Sequence, residues 1–259
     1  MADWLRKITN SAMITLTLLS PHRNSPRTHP ISKITVHHTA GNIGLHALLD
    51  WLHRATTRAS YNYGISSLGE VGLIVNECDR SWASGSAWND NRAVTISVAN
   101  NRGAPEWGVS DEAFTALIDL CVDICKRNPG IVREDGRRGL WYDGTQNGSL
   151  TRHNMYSNQI CPGPYLQSRF PEIVRLVNER LDRELEAAPA PEGVNVEIGG
   201  VTLQVPAQNV DGRWVMTLPD GPEGQPQPDV LLRVVLEALG LSIRWDDTTQ
   251  TIIAVPRES

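Results

Sequence analysis

At 259 residues the chain is long enough for two domains, and 40% apolar against 20% charged residues lets it bury a sizeable core. A formal net charge of −5 excludes the basic face that nucleic-acid binding needs, and no apolar run reaches the roughly 18 to 20 residues of a membrane-spanning helix. Four cysteines, Cys78, Cys121, Cys125 and Cys161, are too sparse for a disulfide-built secreted scaffold.

Near the N-terminus, Arg6 and Lys7 precede the apolar run Ala12 to Leu19, the order found in the first parts of a secretory signal. The run alternates, however, with Ile14, Leu16 and Leu18 against Thr15 and Thr17, and it ends in Ser20-Pro21-His22 without a small-x-small cleavage site. That pattern predicts a strand or extended arm, and the chain is expected to be made in the cytoplasm without a clear signal peptide. Ile34 to His38 reads as a short buried strand. Leu45, Leu48, Leu49 and Leu52 share one helix face. Tyr61 to Ser66 and Val71 to Val75 flank Leu68-Gly69-Glu70 in a hairpin pattern, and Ala93 to Ala99 is a further strand. Ser110 is placed to cap a helix running to Arg127, with Asp111 and Glu112 in its first turn. A last helix is expected over Pro171 to Leu185, with the proline at its start. The fold class that follows is α/β, a mixed central sheet with flanking helices.

Glu186 to Gly193 is rich in alanine and proline and lacks apolar periodicity, so it reads as an extended linker. It divides a domain over 1–185 from a small α+β module over 194–259. All the surplus negative charge lies in that module, which has four arginines against nine acids. Its expected elements are strands Val194 to Ile198 and Val201 to Val205, a helix near Asp229 to Leu239, and strands Leu241 to Trp245 and Thr251 to Val255.

Three side chains have the chemistry of one metal site. His37 lies in a predicted buried strand, and His153 and Cys161 sit eight residues apart in a Gly, Ser and Asn-rich region. Zinc accepts two imidazoles and a thiolate and, in a catalytic site, keeps its fourth position open. Taken alone, a histidine at a strand end and a cysteine before proline are commoner as packed groups than as ligands, and no HExxH or CxxC spacing is present. A structural zinc with a fourth ligand, for which Cys78 is the candidate, stays open on spacing alone. Cys121 and Cys125, one turn apart on the Ser110 helix, read as core. Tryptophans Trp82, Trp88, Trp107 and Trp141 fall in predicted loops, where indoles can stack on sugar rings.

The strings Val36-His37-His38-Thr39-Ala40, Ser60-Tyr61-Asn62-Tyr63-Gly64-Ile65 and His153 to Cys161-Pro162-Gly163 occur in the order found in one family. With Asn76 to Trp82 and Asn89 to Ile96, they make residues 15 to 182 resemble the zinc-dependent N-acetylmuramoyl-L-alanine amidases of the type-2 amidase and peptidoglycan-recognition-protein fold, particularly bacteriophage endolysins. The resemblance implies Zn2+ held by His37, His153 and Cys161; His38 points to the opposite face of the strand and reads as structural or as a support for the ligands, with ligation in place of His37 the alternative. It places the transition-state residues on Tyr61 and on Gln159, where relatives usually have lysine. Peptidoglycan is the implied partner, with Trp82 and Trp88 as candidate sugar contacts and the cell wall as the place of action. A peptidoglycan-binding protein that does not cut is the alternative, against which the presence of Cys161 weighs. Two departures stand out: Trp82-Ala83-Ser84 replaces a tryptophan-histidine step, and Ser97 stands where related endolysins often carry an acid. The stretch Leu239 to Asp246 is similar to the stalk-type domain of copper amine oxidases and envelope proteins, though no copper ligand set is visible. Wall binding and homodimerisation are the roles expected of the C-terminal module.

Overall fold

The computed structural model describes residues 3–187 and the strand segments 194–198, 201–205, 208–210, 213–216, 230–231, 241–246 and 251–256. The chain divides into two compact units, Met1–Glu184 and Leu185–Ser259. In the first, the elements run α1 (Asp3–Arg6), β1 (Ile14–Thr17), β2 (Arg23–Asn24), β3 (Lys33–His38), α2 (Leu45–His53), β4 (Tyr63–Ile65), β5 (Val71–Leu73), β6 (Arg80–Ser81), α3 (Ala87–Asp90), β7 (Ala93–Val98), α4 (Asp111–Arg127), β8 (Leu150–Arg152) and α5 (Gly163–Ala187). Six strands form a mixed sheet in the order β1-β5-β4-β7-β3-β8. Strands β4, β7, β3 and the edge strand β8 are parallel, and the β4–β5 hairpin supplies the antiparallel step. The alternating run near the N-terminus is β1, which pairs with β5.

Every residue of β3 and β7 is buried, so the sheet is covered on both sides, but the two sides differ in chemistry. Ile34, Val36, Val94, Ile96, Val98 and Leu150 belong to one apolar core with the inward stripes of α4 and α5. On the other side stand Thr35, His37, Thr95, Ser97 and Thr151, all buried. Buried hydroxyls need partners, and most find them there. Thr35 Oγ1 lies 2.9 Å from Thr151 Oγ1, Asn89 Nδ2 donates to Thr35 at 3.0 Å, and Ser81 Oγ lies 2.8 Å from Thr95 Oγ1. Helix α2 covers the β4–β5 end of this side with Leu45, Leu48, Leu49 and Leu52. It comes close because two strand positions lack side chains: a Cβ on Gly64 would lie 2.7 Å from Leu48, and one on Gly72 2.8 Å from Leu45 and Leu49.

Helix α4 starts as its sequence suggests, with Ser110 Oγ accepting from the Ala113 N–H at 3.3 Å. At its other end, the buried Glu77 carboxylate gathers the Tyr63 hydroxyl, Arg127 and Asn128 at 2.6, 2.8 and 3.1 Å, tying helix to sheet. The guanidinium of Arg27, also buried, donates to the carbonyls of Glu77, Asp79, Asn91 and Ala93.

The last helix departs from expectation. It begins at Gly163, not Pro171, and Pro171 lies inside it. Leu166, Phe170, Ile173, Val177 and Leu181 form one buried stripe that continues on both sides of the proline, so burial of that stripe outweighs the lost backbone bond. The helix also extends through Glu186 and Ala187, the first two residues of the expected linker.

In the second unit, β9 (Val194–Ile198), β10 (Val201–Val205), β14 (Leu241–Asp246) and β15 (Thr251–Pro256) form a sheet in the order β10-β9-β15-β14. A second sheet, β11 (Gln208–Val210), β12 (Arg213–Met216) and β13 (Val230–Leu231), goes beyond what the sequence pattern predicts. The helix expected near Asp229 to Leu239 opens instead on strand residues Val230 and Leu231, which pair with Met216 and Val215, and 232–240 lie outside the described residues.

Because Pro171 leaves the Gln167 carbonyl without its helical donor, Pro171→Ala is expected to raise stability by up to about 3 kcal/mol. Removing the adjacent buried ring with Phe170→Ala is expected to cost about 3–5 kcal/mol. Urea unfolding midpoints of the two variants check both signs.

Candidate metal site

Strand register brings two of the three candidate ligands level. Val36 of β3 pairs with Arg152, the last residue of β8, so His37 on β3 and His153 just past the end of β8 emerge at the same end of the sheet. His153 turns into a short 3-10 segment closed by the Tyr156 N–H on its carbonyl at 2.9 Å. The loop then returns to Cys161, whose carbonyl accepts from the Asn154 N–H at 3.1 Å, just before α5 begins. The ligand atoms of His37, His153 and Cys161 all lie within 4.8 Å of one another, and among the described residues this is the group of histidine, cysteine and acidic side chains spaced to hold a metal ion. Cys78 stands outside it, and Cys121 and Cys125 are buried in the core.

The spacing suits zinc. Bond lengths near 2.0–2.1 Å to nitrogen and 2.3 Å to sulfur put tetrahedral N and S ligands about 3.6 Å apart, and His37 Nδ1 lies 3.8 Å from Cys161 Sγ. The His37 and His153 rings are 4.6 Å apart, centre to centre. His37 Nε2 is buried with no hydrogen-bond partner, and the Nδ1 contact is with Cys161 Sγ, another member of the group. Burial, aided by the neighbouring His153 and His38, holds the His37 pKa well below its ordinary value, and burial lowers that of His153. Both rings are therefore neutral, the form that binds a metal. Burial also pushes the Cys161 thiol up to about 12, against a backbone N–H of His38 that donates to its sulfur at 3.3 Å. A neutral thiol results, and a cation is what this environment requires to favour the thiolate.

Tyr61 joins the group, its ring tilted 4.9 Å from that of His37. Burial and the nearby Cys161 raise its pKa above the ordinary phenol value, so it carries a proton to donate. The Ser97 hydroxyl, on the register partner of His37, opposes that rise, yet makes no hydrogen bond of good geometry. Tyr61 is held from both sides: the Ser60 N–H donates to the Trp82 carbonyl at 3.0 Å, and the Asn62 side chain is locked onto Thr95 and Val75.

The other candidates lie further out. Gln159 is exposed in the loop before Cys161; its backbone N–H donates to the Ser157 carbonyl, and its side chain makes no hydrogen bond. Trp82 is 37% exposed, its backbone paired with Ser60, its ring 5.5 Å from that of His22 and its indole N–H donating to Asn24 at 2.7 Å. Trp88 is not brought to the group. It lies against Arg92 and Lys33, 4.6 and 5.6 Å from the ring centre, and Lys33 begins the strand on which His37 is the fifth residue. Lys33 and His37 are four residues apart, roughly 13 Å along β3, while Asn89, next to Trp88, reaches Thr35 two residues before His37 at 3.0 Å. A tryptophan in a loop carries no sign of which end of the sheet that loop caps. The His38 N–H on the Cys161 sulfur is equally invisible in the sequence, since backbone donors leave no trace in residue type.

The Amidase_2 family model, described as N-acetylmuramoyl-L-alanine amidase, matches residues 27–164. No curated protein matches the chain. Among solved structures, Staphylococcus aureus hydrolase AmiA in complex with its ligand is similar at 15% identity with a TM-score of 0.51, covering 70% of this chain and 95% of that one. A Se-Met AmpD derivative is 19% identical with a TM-score of 0.48, covering 64% and 96%. PlyL is 16% identical with a TM-score of 0.47, covering 62% and 94%. At these identities the AmiA likeness speaks for the fold. The family match spans just over half of the chain and includes His37, His153 and Cys161, so the chain belongs to the Amidase_2 family of N-acetylmuramoyl-L-alanine amidases.

Proposed function

We propose that this chain is a zinc-dependent peptidoglycan hydrolase of endolysin type, cutting the amide between N-acetylmuramic acid and the L-alanine of the stem peptide. The observation that carries this reading is the convergence of two neutral imidazoles and a thiol within 4.8 Å, with a protonated phenol beside them. His37, His153 and Cys161 would hold the ion, three protein ligands that leave a fourth position open. Zinc bound there supplies a Lewis acid for the amide carbonyl and acidifies water at neutral pH. Tyr61 donates a hydrogen bond to the oxyanion that develops on that carbonyl, and its proton is the nearest one for the departing amine. Gln159 is the second donor. It lies exposed on the rim, so its amide acts by closing onto bound substrate, and without charge it stabilises the oxyanion less than a lysine would. Ser97 cannot serve as a general base at neutral pH.

The wall is the place of action in this proposal. In this reading the protein acts on the peptidoglycan of a bacterial host and causes lysis. Trp82, partly exposed and paired through its backbone with Ser60, which precedes Tyr61, offers a face for a sugar ring. The unit from Leu185 onward serves as a wall-binding or dimerising module.

Mass spectrometry of fragments released from purified peptidoglycan is expected to find free stem peptides beginning at L-alanine, lost with a zinc chelator and restored by zinc. Intact glycopeptides under both conditions would overturn the enzyme and leave a binding protein of the same fold. Cys161→Ser is expected to abolish the release. Tyr61→Phe is expected to lower kcat by about 100-fold with little change in KM. Gln159→Lys is expected to raise kcat, because it adds a charge to the donor. Trp88→Ala, at the far end of β3, is expected to leave both constants unchanged, and steady-state kinetics on a soluble muropeptide reads all three.

A further inference from the structure

The loop over 101–109, which follows β7, takes no part in the chemistry above, yet it closes on the cysteine ligand. Its ends are paired by the Asn101 N–H on the Gly108 carbonyl at 2.9 Å, and the Tyr165 N–H of α5 donates to the Glu106 carbonyl at 3.3 Å. Trp107 sits in the left-handed region, at φ +51°, a conformation that a bulky residue adopts only when its surroundings impose it. Two hydrogen bonds impose it here. The Trp107 N–H donates to the Gly103 carbonyl at 2.9 Å, and its own carbonyl accepts from Asn100 Nδ2 at 2.8 Å.

The indole so placed enters the space between two neighbours of Cys161. One side meets the His38 ring edge to face, at 5.1 Å between centres. The other meets Gly163, where a Cβ would come within 2.7 Å of the Trp107 Cβ. These two contacts flank the ligand, since the His38 backbone N–H reaches Cys161 Sγ at 3.3 Å and Gly163 lies two residues beyond it. The indole Nε1, His38 Nδ1 and Asn100 Oδ1 are all buried without a hydrogen-bond partner of good geometry. Ring packing, with the Asn100 side chain acting on His38 from beside it, holds the arrangement.

We propose that Trp107 is a positioning residue for the thiolate: wedged between His38 and Gly163, it holds the His38 N–H on the Cys161 sulfur. This rests on the reading of His37, His153 and Cys161 as metal ligands. An N–H directed at a ligating sulfur withdraws charge from it and fixes its direction, and outer partners of this kind commonly set metal affinity by 10–100-fold.

The test loads the full-length protein with Co2+ and reads the thiolate-to-cobalt charge-transfer band, with zinc affinity measured by competition against a chromophoric chelator. Trp107→Ala is expected to move the band to longer wavelength, as the sulfur regains charge, and to weaken zinc binding by about 10–100-fold. Trp107→Phe, which keeps an aromatic edge on His38, is expected to stay close to wild type in both readings. Asn100→Ala frees the Trp107 carbonyl and is expected to move the band the same way by less, which preserves the test if Trp107→Ala does not fold. A folded Trp107→Ala protein with the wild-type band and affinity would overturn the proposal. So would a Phe variant as impaired as the Ala variant, or an unchanged Asn100→Ala band where Trp107→Ala does not fold. A wild type that shows no cobalt–thiolate band would overturn the metal reading itself, and the wedge with it.

Discussion

The parallel register of β8 on β3 is the constraint on which the rest of the site depends. Pairing of Val36 with Arg152 brings His37 on β3 and His153 just past the end of β8 to the same height. In a sheet a slip of one residue turns every side chain to the opposite side, so this pairing has to be held from outside the two strands. The apolar side does so through Ile34, Val36 and Leu150, which sit in one core with α4 and α5. The polar side does so through Thr35 and Thr151, hydroxyl to hydroxyl at 2.9 Å. Either pair would be lost on a one-residue slip, and His37 would then face the helices.

Bringing three donors into a buried place has an energetic consequence. His37 is fully buried, Cys161 is 8% exposed, and neither ring nor thiol carries a charge of its own at neutral pH. An unpaired polar atom such as His37 Nε2 costs stability wherever water cannot reach it. A site of this kind destabilises the empty fold and is stabilised in turn by binding what it was built for. The glycines of the hairpin serve the same close assembly. By letting α2 approach β4 and β5, Gly64 and Gly72 bring forward the loop that ends in Tyr61, so that the phenol meets the His37 ring.

Much of this is legible in the residues, and the reasons differ by element. Strong periodicity carries β3, α2, β7 and α4, because a helix stripe or a β-branched run reports directly on burial. The three candidate ligands are legible as residue types and through family likeness, whereas their convergence depends on register, which spacing alone cannot supply. The start of α5 is hidden because a proline usually opens a helix, although the stripe Leu166, Phe170, Ile173 runs straight through it. Trp88 falls away from the chemistry because nothing local tells which end of the strands its loop caps. Short pairings such as β2 with β6, and the second small sheet of the C-terminal unit, have too few residues to show a period.

The polar side of the sheet also bears on how the proposed chemistry divides its labour. From Thr35 through Asn89 and Ser84 to Asp90, hydroxyls and amides run as a bonded layer beneath His37, with Asp90 accepting from Ser84 Oγ at 2.6 Å and from the Ala83 N–H at 3.1 Å. Such a layer is stiff, since each member limits the rotamers of the next, and catalytic groups work best when mounted on stiff elements. What it lacks, among the described residues, is a free carboxylate aimed at the metal position: Asp90 is engaged by Ser84 and Ala83, Glu77 by Tyr63, Arg127 and Asn128, and Ser97 supplies a hydroxyl next to Tyr61. Tyr61 thus stays protonated, its pKa raised above the ordinary phenol value, so it can donate a hydrogen bond but gives up its proton less readily than a free phenol. On that arrangement the residues around the cluster favour stabilising an oxyanion over abstracting a proton, and the burden of making water reactive rests on the three ligands and the ion they would hold.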